Sequence, residues 1–267
     1  MTLLHPRFAH RPVVIGMLHL PALPGAPLAN RTLVEIAQVM LDDARALQQG
    51  GADGLMIENF GDVPFFKSSA PPIVVACITA VAQRVRDAVD LPLGINVLRN
   101  DGCSALSIAH AVGASYIRVN VLSGARVTDQ GMIEGIAADL LRLRTMLGAH
   151  DVKIFADVDV KHSAPLAPRP IEDELDDTIH RGLADAVIVS GAGTGKKTDL
   201  EKLATVKSRA GGTPVFVGSG VDADSAPDLA RIADGLIVGT SIKRDGKVNN
   251  PVDARRVEQL MRSLRKR

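Results

Sequence analysis

The sequence predicts an α/β fold, a single (β/α)8 TIM barrel, and three observations favour it. Eight short apolar runs alternate with eight helical patterns, the order typical of a parallel sheet covered by helices. The length of 267 residues is close to that of one such barrel. No composition shift or flexible linker divides the chain, so residues 1–267 are interpreted as one domain. Glycine turns after the last two strands favour a closed barrel over an open, doubly wound sheet.

Each strand is predicted from a short apolar run, and each helix from apolar residues at helical spacing. The predicted strands are residues 13–18, 54–57, 93–97, 116–121, 152–160, 186–189, 215–217 and 236–238. The predicted helices lie near residues 32–49, 73–89, 103–112, 131–147, 172–182, 199–209, 224–231 and 252–265. Three proline-rich connections, 19–31, 58–72 and 161–171, follow strands and are long. We expect them to wall a cavity at the carboxyl-terminal face of the barrel, where barrels of this kind carry their active sites.

Charge and composition argue against nucleic acid as a partner. The formal net charge of +1 creates no global field that would attract nucleic acid or anionic lipid. The chain has no tryptophan and one tyrosine, so platforms for stacking bases are scarce. The basic end, residues 262–267, is interpreted as a solvated helix terminus that the helix dipole favours.

The cysteine content and the hydropathy pattern predict a cytoplasmic protein. Cys77 and Cys103 are the two cysteines, a number that fits a reducing compartment and offers no metal-ligand spacing. The amino-terminal stretch lacks an apolar segment of signal-peptide length, and no run approaches the length of a transmembrane span. Barrels often associate, so a homo-oligomer is expected, although the sequence reveals no interface.

Two turns of glycine and hydroxyl residues follow the last two predicted strands. They consist of Gly218, Ser219 and Gly220 after residues 215–217, and of Gly239, Thr240 and Ser241 after residues 236–238. Such turns can leave backbone N–H groups free to hold an anion, and small residues let a phosphate come close. In a (β/α)8 barrel the turns after strands 7 and 8 are the usual phosphate-binding place. The sequence therefore predicts a small phosphorylated metabolite as the ligand.

The fifth predicted strand is unusual because one of its faces carries charges. Its alternating pattern places Lys153, Phe155, Asp157, Asp159 and Lys161 on the face opposite Ile154, Ala156, Val158 and Val160. The apolar face should meet the helices, so the charged face should point at the barrel axis, where charges must pair or bind a ligand. We expect Asp157 and Lys161 to exchange protons with a substrate, or Lys161 to form a Schiff base, with Asp159 as a binding residue. The alternative is a structural internal ion pair.

Polar side chains on the third and fourth strands should share this axis. Asn96 falls on the inward face of the third strand, and Arg118 and Asn120 fall on that of the fourth. These three are predicted to orient oxygen atoms of the substrate. Arg118 could hold a carboxylate or a phosphate, or neutralise the acids of the neighbouring strand, and the sequence does not separate the two roles.

Glu58, His19 and His162 are the remaining acid–base candidates. Glu58 ends the second strand as a general-base candidate, although a carboxylate paired with Arg118 is equally simple. His19 follows the first strand as a possible acid or base. His162, beside Lys161, is assigned to substrate binding, and a structural role is the alternative for either histidine.

The glycine-rich segment 190–198 after the sixth strand matches no nucleotide motif. A Walker loop would need glycine at Ser190 and a hydroxyl residue at Lys197, and the dinucleotide pattern lacks its last glycine at Lys196. Thr194 and Gly195 are predicted to contact substrate, and a loose surface turn is the alternative. No cofactor is predicted, and a divalent metal would need the carboxylates of Glu58, Asp157 and Asp159 to converge.

Several stretches of the chain together resemble the BtpA family. They include IGMLH at 15–19, ENFGD at 58–62, IRVNV at 117–121 and GSGV at 218–221. Further matching stretches are residues 23–25, 51–54, 94–101, 156–158, 160–162, 234–235, 237–240 and 252–253. The resemblance implies a TIM barrel of the ribulose-phosphate-binding type, but it supplies no settled catalytic motif. One member of the family is linked to accumulation of photosystem I, while many relatives look like sugar-metabolism proteins.

Two functions follow from these observations. The first is an enzyme that acts on a small phosphorylated sugar or related metabolite, by isomerase, epimerase, aldolase or glycosidic-cleavage chemistry. The second is a non-catalytic factor for the biogenesis or stability of photosystem I, which the resemblance alone motivates.

Overall fold

The computed structural model describes residues 4–9, 12–191 and 198–265, and eight parallel strands within them close into a barrel. The barrel strands are β1 (Val13–His19), β2 (Gly54–Glu58), β3 (Leu93–Asn96), β4 (Tyr116–Val119), β7 (Lys153–Val158), β9 (Ala186–Val189), β10 (Val215–Val217) and β11 (Gly235–Val238). Three further short strands, β5 (Ala125–Thr128), β6 (Gly131–Glu134) and β8 (Ser163–Pro165), form a separate antiparallel sheet. The predicted (β/α)8 fold is therefore confirmed.

Pairing between the first and last strands closes the ring. In the register of β1, Val13 lies opposite Gly235 of β11, while Ile15 lies opposite Gly54 of β2. Each of the eight barrel strands is short and almost wholly buried, because helices cover its outer face and side chains fill the interior.

Helices follow the barrel strands and cover them. They are α1 (Leu33–Gly50), α2 (Pro72–Ala88), α3 (Gly102–Val112), α4 (Ala137–Met146), α5 (Ile171–Asp176), α6 (Leu200–Arg209), α7 (Ala226–Leu229) and α8 (Ala254–Arg265). The sequence sets the ends of α1 clearly: Thr32 and Glu35 form a capping box, and Gly51 ends the helix at a φ of 89°. Each helix of the described residues is too short or too polar to span a bilayer.

The helix predicted near residues 131–147 was wrong in its first part. Residues 125–128 and 131–134 pair as a hairpin, and α4 begins only at Ala137. Gly131 turns the chain at a φ of 94°, a conformation that a helix does not contain. β8, from the long connection 161–171, adds a third strand to this hairpin.

An aromatic column fills the lower half of the barrel. Tyr116 stacks on Phe155 with ring centroids 4.8 Å apart, and Phe155 meets Phe216 at 5.0 Å. Two strand glycines make room for these rings: a Cβ on Gly94 would lie 2.0 Å from the ring of Tyr116, and one on Gly235 would lie 2.2 Å from Phe216. Because the aromatic column fills the lower half of the barrel, a polar cavity has room only at the carboxyl-terminal end.

The predicted faces of the fifth barrel strand are confirmed through residue 158. Ile154, Ala156 and Val158 pack in the outer core against the helices, while Phe155 lies in the inner core. β7 ends at Val158, two residues earlier than predicted, because the next residue has a left-handed φ of 53° and leaves the extended conformation. The alternation therefore cannot be extended beyond Val158.

Candidate active site

A cavity of about 330 Å³ opens at the carboxyl-terminal end of the barrel. It brings together predicted residues from both halves of the chain: His19, Glu58, Arg118, Lys161, Gly218, Ser219, Gly220, Gly239, Thr240 and Ser241. Because these residues lie in or directly after six different strands, closure of the barrel is what makes them neighbours.

The two glycine turns form one side of the cavity. Among the described residues, the backbone amides of Ser219 and Gly220 have no hydrogen-bond acceptor. Gly220 has a φ of 70°, and a Cβ on Gly218 would lie 2.7 Å from the Ser190 hydroxyl. The turn therefore keeps its amides available to an anion, at a position where larger residues would collide with the wall.

Arg256, which no sequence pattern indicated, lies beside these turns. It belongs to the first turns of α8, and its Nε donates to the carbonyl of Ser241 at 2.8 Å. Arg256 also lines the cavity and places a positive charge beside the turns, where the carboxylate of Asp222 is a lining residue as well. The sequence between Ser241 and Arg256 contains no recognisable motif. Arg256 reaches the turn because the chain reverses direction between Lys243 and Val252, which pair as an antiparallel bridge.

Arg118 and Asp157 form a buried ion pair at the centre of the barrel. Arg118 donates two hydrogen bonds to the carboxylate, each of 2.8 Å. Asn120 donates a third at 2.9 Å, and the Ser190 hydroxyl lies at 3.4 Å. Four donors occupy the acceptor sites of this carboxylate. Of the alternatives open for Arg118, the structure favours neutralisation of the acid on the adjacent strand, with Asn120 as a support of Asp157.

Glu58, Asn96 and His19 form a second polar group on the opposite side. Asn96 donates to Glu58 Oε2 at 3.1 Å, and His19 Nε2 lies 3.8 Å from Glu58 Oε1. Glu58 is thus held by Asn96 and is not the direct partner of Arg118 that the sequence had left open. His19 also packs on Phe60, with ring centroids 4.7 Å apart.

Burial controls the ionisation of His19. Desolvation, followed by the positive charges of Lys243, Lys161 and Arg118, holds the pKa of His19 well below its ordinary value. The imidazole is therefore neutral at neutral pH, with one nitrogen able to donate and the other able to accept a proton.

Within the part of the chain that the structure describes, three buried polar atoms of the predicted site have no protein partner. They are His19 Nδ1, Asn96 Oδ1 and Asn120 Oδ1. Buried polar atoms are nearly always hydrogen-bonded in folded proteins. Their concentration among the predicted residues is typical of a site that binds a polar ligand.

Lys161 approaches the cavity from the loop after β7. Among residues 4–9, 12–191 and 198–265, its ammonium group has no hydrogen bond or ion pair. Burial, and then the charge of Arg118, lowers the pKa of Lys161, while the carboxylates of Glu58 and Asp157 act in the other direction. Arg99 donates to the Lys161 carbonyl at 2.6 Å and so holds the backbone of this residue in place.

Asp159 and His162 do not join the central cavity. The Asp159 carboxylate pairs with Arg126 of β5 and Lys202 of α6, which favours a structural role. Both residues have left-handed φ values, 53° and 56°, so neither follows the strand alternation used to place Asp159. His162 lines a neighbouring pocket together with Asp159 and Lys161. The predicted contacts Thr194 and Gly195 lie outside the described residues.

Glu58, Asp157 and Asp159 do not converge as a metal site would require. Within the described part of the chain, no three histidine, cysteine or acidic side chains are arranged to hold a metal ion.

Fold and site together define a class, that of (β/α)8 barrels with a polar cavity beside glycine turns at the carboxyl-terminal face. The chain belongs to the BtpA family, whose model matches residues 10–266. An uncharacterised protein of Thermococcus kodakarensis is 51% identical over 97% of this chain and 98% of that protein. The photosystem I biogenesis protein BtpA of Synechocystis is 46% identical over 96% of this chain and 88% of that protein.

Solved structures with the same fold include enzymes of low sequence identity. N-(5'-phosphoribosyl)anthranilate isomerase from Pyrococcus furiosus has a TM-score of 0.57 at 13% identity, covering 96% of this chain and all of that one. Tryptophan synthase from M. tuberculosis has a TM-score of 0.63 at 18% identity, covering 98% of each chain. Orotidine 5'-phosphate decarboxylase from Pyrococcus horikoshii has a TM-score of 0.55 at 14% identity, covering 95% of this chain and all of that one. At these identities the likeness concerns the fold.

Proposed function

We propose that the chain is an enzyme that acts on a small phosphorylated sugar or a related phosphorylated metabolite. The observation that carries the proposal is a single cavity with two unlike ends. One end has the free amides of Ser219 and Gly220 with the charge of Arg256, and the other has Lys161 and Glu58. The first end suits a phosphate, and the second suits proton transfer at a carbon several bonds away.

The size of the cavity agrees with this class of substrate. Its volume of about 330 Å³ is near the lower end of small-molecule pockets. Two solved neighbours are named for phosphorylated compounds, a phosphoribosylanthranilate isomerase and an orotidine 5'-phosphate decarboxylase. These neighbours support the view that the fold can accommodate phosphorylated substrates. The proposal for this chain rests on its own cavity.

The roles proposed for the side chains follow from their placement. Gly218, Gly239, Thr240 and Ser241 would complete the phosphate cradle around the two free amides. Glu58, Lys161 and neutral His19 would move protons, since each lines the cavity and His19 lies 3.8 Å from Glu58. Asp157 would act through Arg118 and Asn120, which its carboxylate holds in position.

Thermal unfolding with a panel of phosphorylated sugars tests this function. A ligand at 100 times its Kd adds about 2.7 kcal/mol, which corresponds to a rise in Tm of roughly 5–10 °C for a protein of this size. Ser219→Glu and Thr240→Glu place a carboxylate in the cradle and should abolish the rise. Ser208→Glu, on the exposed surface of α6, is the matched control and should preserve it.

The proposal fails if no phosphorylated compound raises the Tm of the wild type. It also fails if the rise is the same in the two cradle variants as in Ser208→Glu, because the anion would then bind elsewhere.

A non-catalytic role in photosystem I biogenesis is the second candidate. Its support is the 46% identity to the Synechocystis protein named for that process. Membrane flotation and affinity pull-down from a photosynthetic host would separate the two. Stoichiometric capture of photosystem components by a variant that lacks both Lys161 and Glu58 would favour the second candidate, and absence of any such partner would remove it.

A further inference from the structure

We propose that Lys161 forms an imine with the carbonyl carbon of an open-chain phosphorylated aldose or ketose. This inference rests on the proposed function, because the phosphate end of the cavity is what would present the carbonyl to the amine. It narrows the substrate class to phosphorylated compounds with a free aldehyde or ketone. A sugar locked as a glycoside does not meet this requirement.

The first argument is the absence of a carboxylate partner for Lys161. Asp157 already accepts from Arg118, Asn120 and Ser190. Asp159 is paired with Arg126 and Lys202. Within residues 4–9, 12–191 and 198–265, nothing hydrogen-bonds to the Lys161 ammonium group. Glu58, which Asn96 holds, acts on Lys161 through its charge but makes no hydrogen bond or ion pair with it. Among the described residues, this half-buried lysine therefore has no ionic partner that would give it a structural role.

The second argument is the surroundings of the amine, which favour its neutral form. The guanidinium groups of Arg118 and Arg99 are among the charges that act on Lys161, and burial removes part of its hydration. Both effects lower the pKa of this lysine, as a nucleophilic amine needs, since only the unprotonated nitrogen has a lone pair to donate.

The third argument is a fixed position. Arg99 is 5% exposed and donates to the Lys161 carbonyl at 2.6 Å, so the loop after β3 anchors the backbone from which the amine reaches into the cavity. Arg99 is a positioning residue in this scheme. The same cavity contains Ser219 and Thr240 of the cradle, so phosphate and amine would hold one substrate at two points.

The step balances with the groups that line the cavity. The Lys161 nitrogen attacks the carbonyl carbon, and the carbon–oxygen π electrons move to oxygen, which takes up a proton. The resulting carbinolamine gives up its hydroxyl as water after a second protonation, while the nitrogen releases one proton as the C=N bond forms. Amine, carbonyl and one proton thus yield a protonated imine and one water. His19 and Glu58 are the groups near enough to each other to relay these protons.

An imine also limits the types of reaction that the enzyme could catalyse. Its positive nitrogen withdraws electrons from the adjacent carbons, which assists proton removal or carbon–carbon cleavage next to the former carbonyl. Aldol-type cleavage and isomerisation benefit from this effect. Hydrolysis of a glycosidic bond does not use it.

Borohydride trapping tests the inference directly. The wild-type protein is incubated with dihydroxyacetone phosphate, glyceraldehyde 3-phosphate or ribose 5-phosphate, reduced with sodium borohydride and examined by intact-mass and peptide-mass spectrometry. The expected adduct has the mass of the probe minus one oxygen atom and lies on Lys161, with at least tenfold more label there than on any other lysine. Unphosphorylated dihydroxyacetone should label Lys161 at least tenfold less than its phosphate.

Variants separate this chemistry from general glycation of surface lysines. Lys161→Met and the more conservative Lys161→Arg should both lose the adduct while retaining a cooperative thermal transition. Lys153→Met removes the lysine at the start of β7, the strand that precedes the loop of Lys161, and should keep the adduct in full. Equal labelling of Lys161 and other lysines, or survival of the adduct in a folded Lys161 variant, overturns the inference.

The failures of the two proposals are distinguishable. A probe that raises the Tm of the wild type but leaves no adduct on Lys161 overturns the imine and leaves the proposed function intact. Labelling of Lys161 that is unchanged in Ser219→Glu overturns the phosphate cradle. If no probe raises the Tm and none labels Lys161, both proposals are wrong.

Discussion

His19 illustrates how the barrel controls the chemistry of a single side chain. The imidazole is enclosed between Phe60 and the turn at Gly239, where a Cβ would lie 2.7 Å from its Cε1 atom. This enclosure disfavours the charged imidazolium. In the unfolded chain His19 takes up a proton below about pH 6.5, whereas in the folded protein it stays neutral to a lower pH. Stability must therefore depend on pH through this group.

We expect His19→Gln to reduce the loss of stability in mild acid. The folded-state pKa lies below the unfolded one, so the stabilising contribution is complete above about pH 6.5 and is lost as the pH falls toward the folded value. The wild type should lose up to about 1.4 kcal/mol per pH unit more than the variant in this range. Urea unfolding between pH 5 and 8 measures the difference, and parallel curves for the two proteins would contradict the assignment.

Arg256→Ala should weaken binding of a phosphorylated ligand without affecting the fold. The side chain is exposed and contributes a charge at the cradle, and hydrogen bonds to charged groups are worth about 1.5–3 kcal/mol. The expected loss of affinity is roughly 10- to 150-fold by titration calorimetry. Arg255→Ala is the matched control on the same helix, outside the cavity. An equal effect of the two substitutions would exclude a cradle role for Arg256.

The sequence predicted single residues well where one local rule applied and poorly where two segments had to meet. Strand alternation predicted the inward positions of Phe155 and Asp157 because β7 is regular there. It misplaced Asp159, since that residue has a left-handed φ and its carboxylate pairs with Arg126 and Lys202. Arg256 carried no local signal at all, because the return of α8 over the cavity is a tertiary feature.

At the scale of elements, the inner strands are adapted to the aromatic column. Gly94 of β3 faces the ring of Tyr116, whose hydroxyl donates to the carbonyl of Leu55 at 2.6 Å. Desolvation raises the pKa of Tyr116 well above its ordinary value, so this hydroxyl stays protonated and remains a donor at neutral pH. The strand therefore needs glycine for space and not for an unusual φ.

Gly94→Ala should destabilise the protein by about 1–3 kcal/mol, the usual cost of overpacking a core. The added methyl would lie 2.0 Å from the ring of Tyr116. The double variant Gly94→Ala/Tyr116→Val should be more stable than the sum of the two single effects predicts, because removal of the ring relieves the collision. Denaturant unfolding of the four proteins forms the cycle, and simple additivity would refute the packing explanation.

The hairpin of β5 and β6 shows why one element was mispredicted. Residues 131–136 contain apolar side chains whose spacing suits a helix, yet residues 131–134 pair with residues 125–128 across the turn at Gly131. Arg126 fixes this sheet to the barrel through Glu174 and Asp159. Long-range strand pairing and the turn at Gly131 therefore decide the structure of this segment, and its local apolar spacing does not reveal them.

At the scale of the whole molecule, a buried ion pair joins the first helix to the end of the ring. Lys243, 1% exposed, donates to Asp43 of α1 at 2.7 Å, and the same carboxylate accepts from the Val252 amide at 2.7 Å. The contact spans 200 residues of sequence and reinforces the closure that β1 and β11 make through their backbones.

Asp43→Ala should destabilise the protein by about 3–5 kcal/mol, because it leaves the buried charge of Lys243 without a partner. Asp42→Ala, on the exposed face of the same helix, is the control and should change the free energy of unfolding by less than about 0.5 kcal/mol. Guanidinium unfolding compares them. Similar free energies of unfolding for the two variants would mean that this pair does not hold the ends of the barrel together.

Eight repeated local patterns were enough to predict the closed barrel, since each of them is the same strand-then-helix unit of a parallel sheet. For the cavity, the sequence predicted only the lining residues at the ends of strands. The glycine turns and the inward polar side chains could be recognised because each has a local sequence pattern. The electrostatics of the cavity could not be predicted from the sequence. Asp157 pairs with Arg118 in the folded protein, and this pairing leaves Lys161 without Asp157 as an ion-pair partner.

A crystal structure with dihydroxyacetone phosphate bound measures the central claim most directly. We expect the phosphate oxygens within hydrogen-bond distance of the Ser219 and Gly220 amides and of Arg256, with the carbonyl carbon joined to, or in contact with, Lys161 Nζ. A phosphate held outside the glycine turns, with Lys161 remote from the carbonyl, would contradict the account.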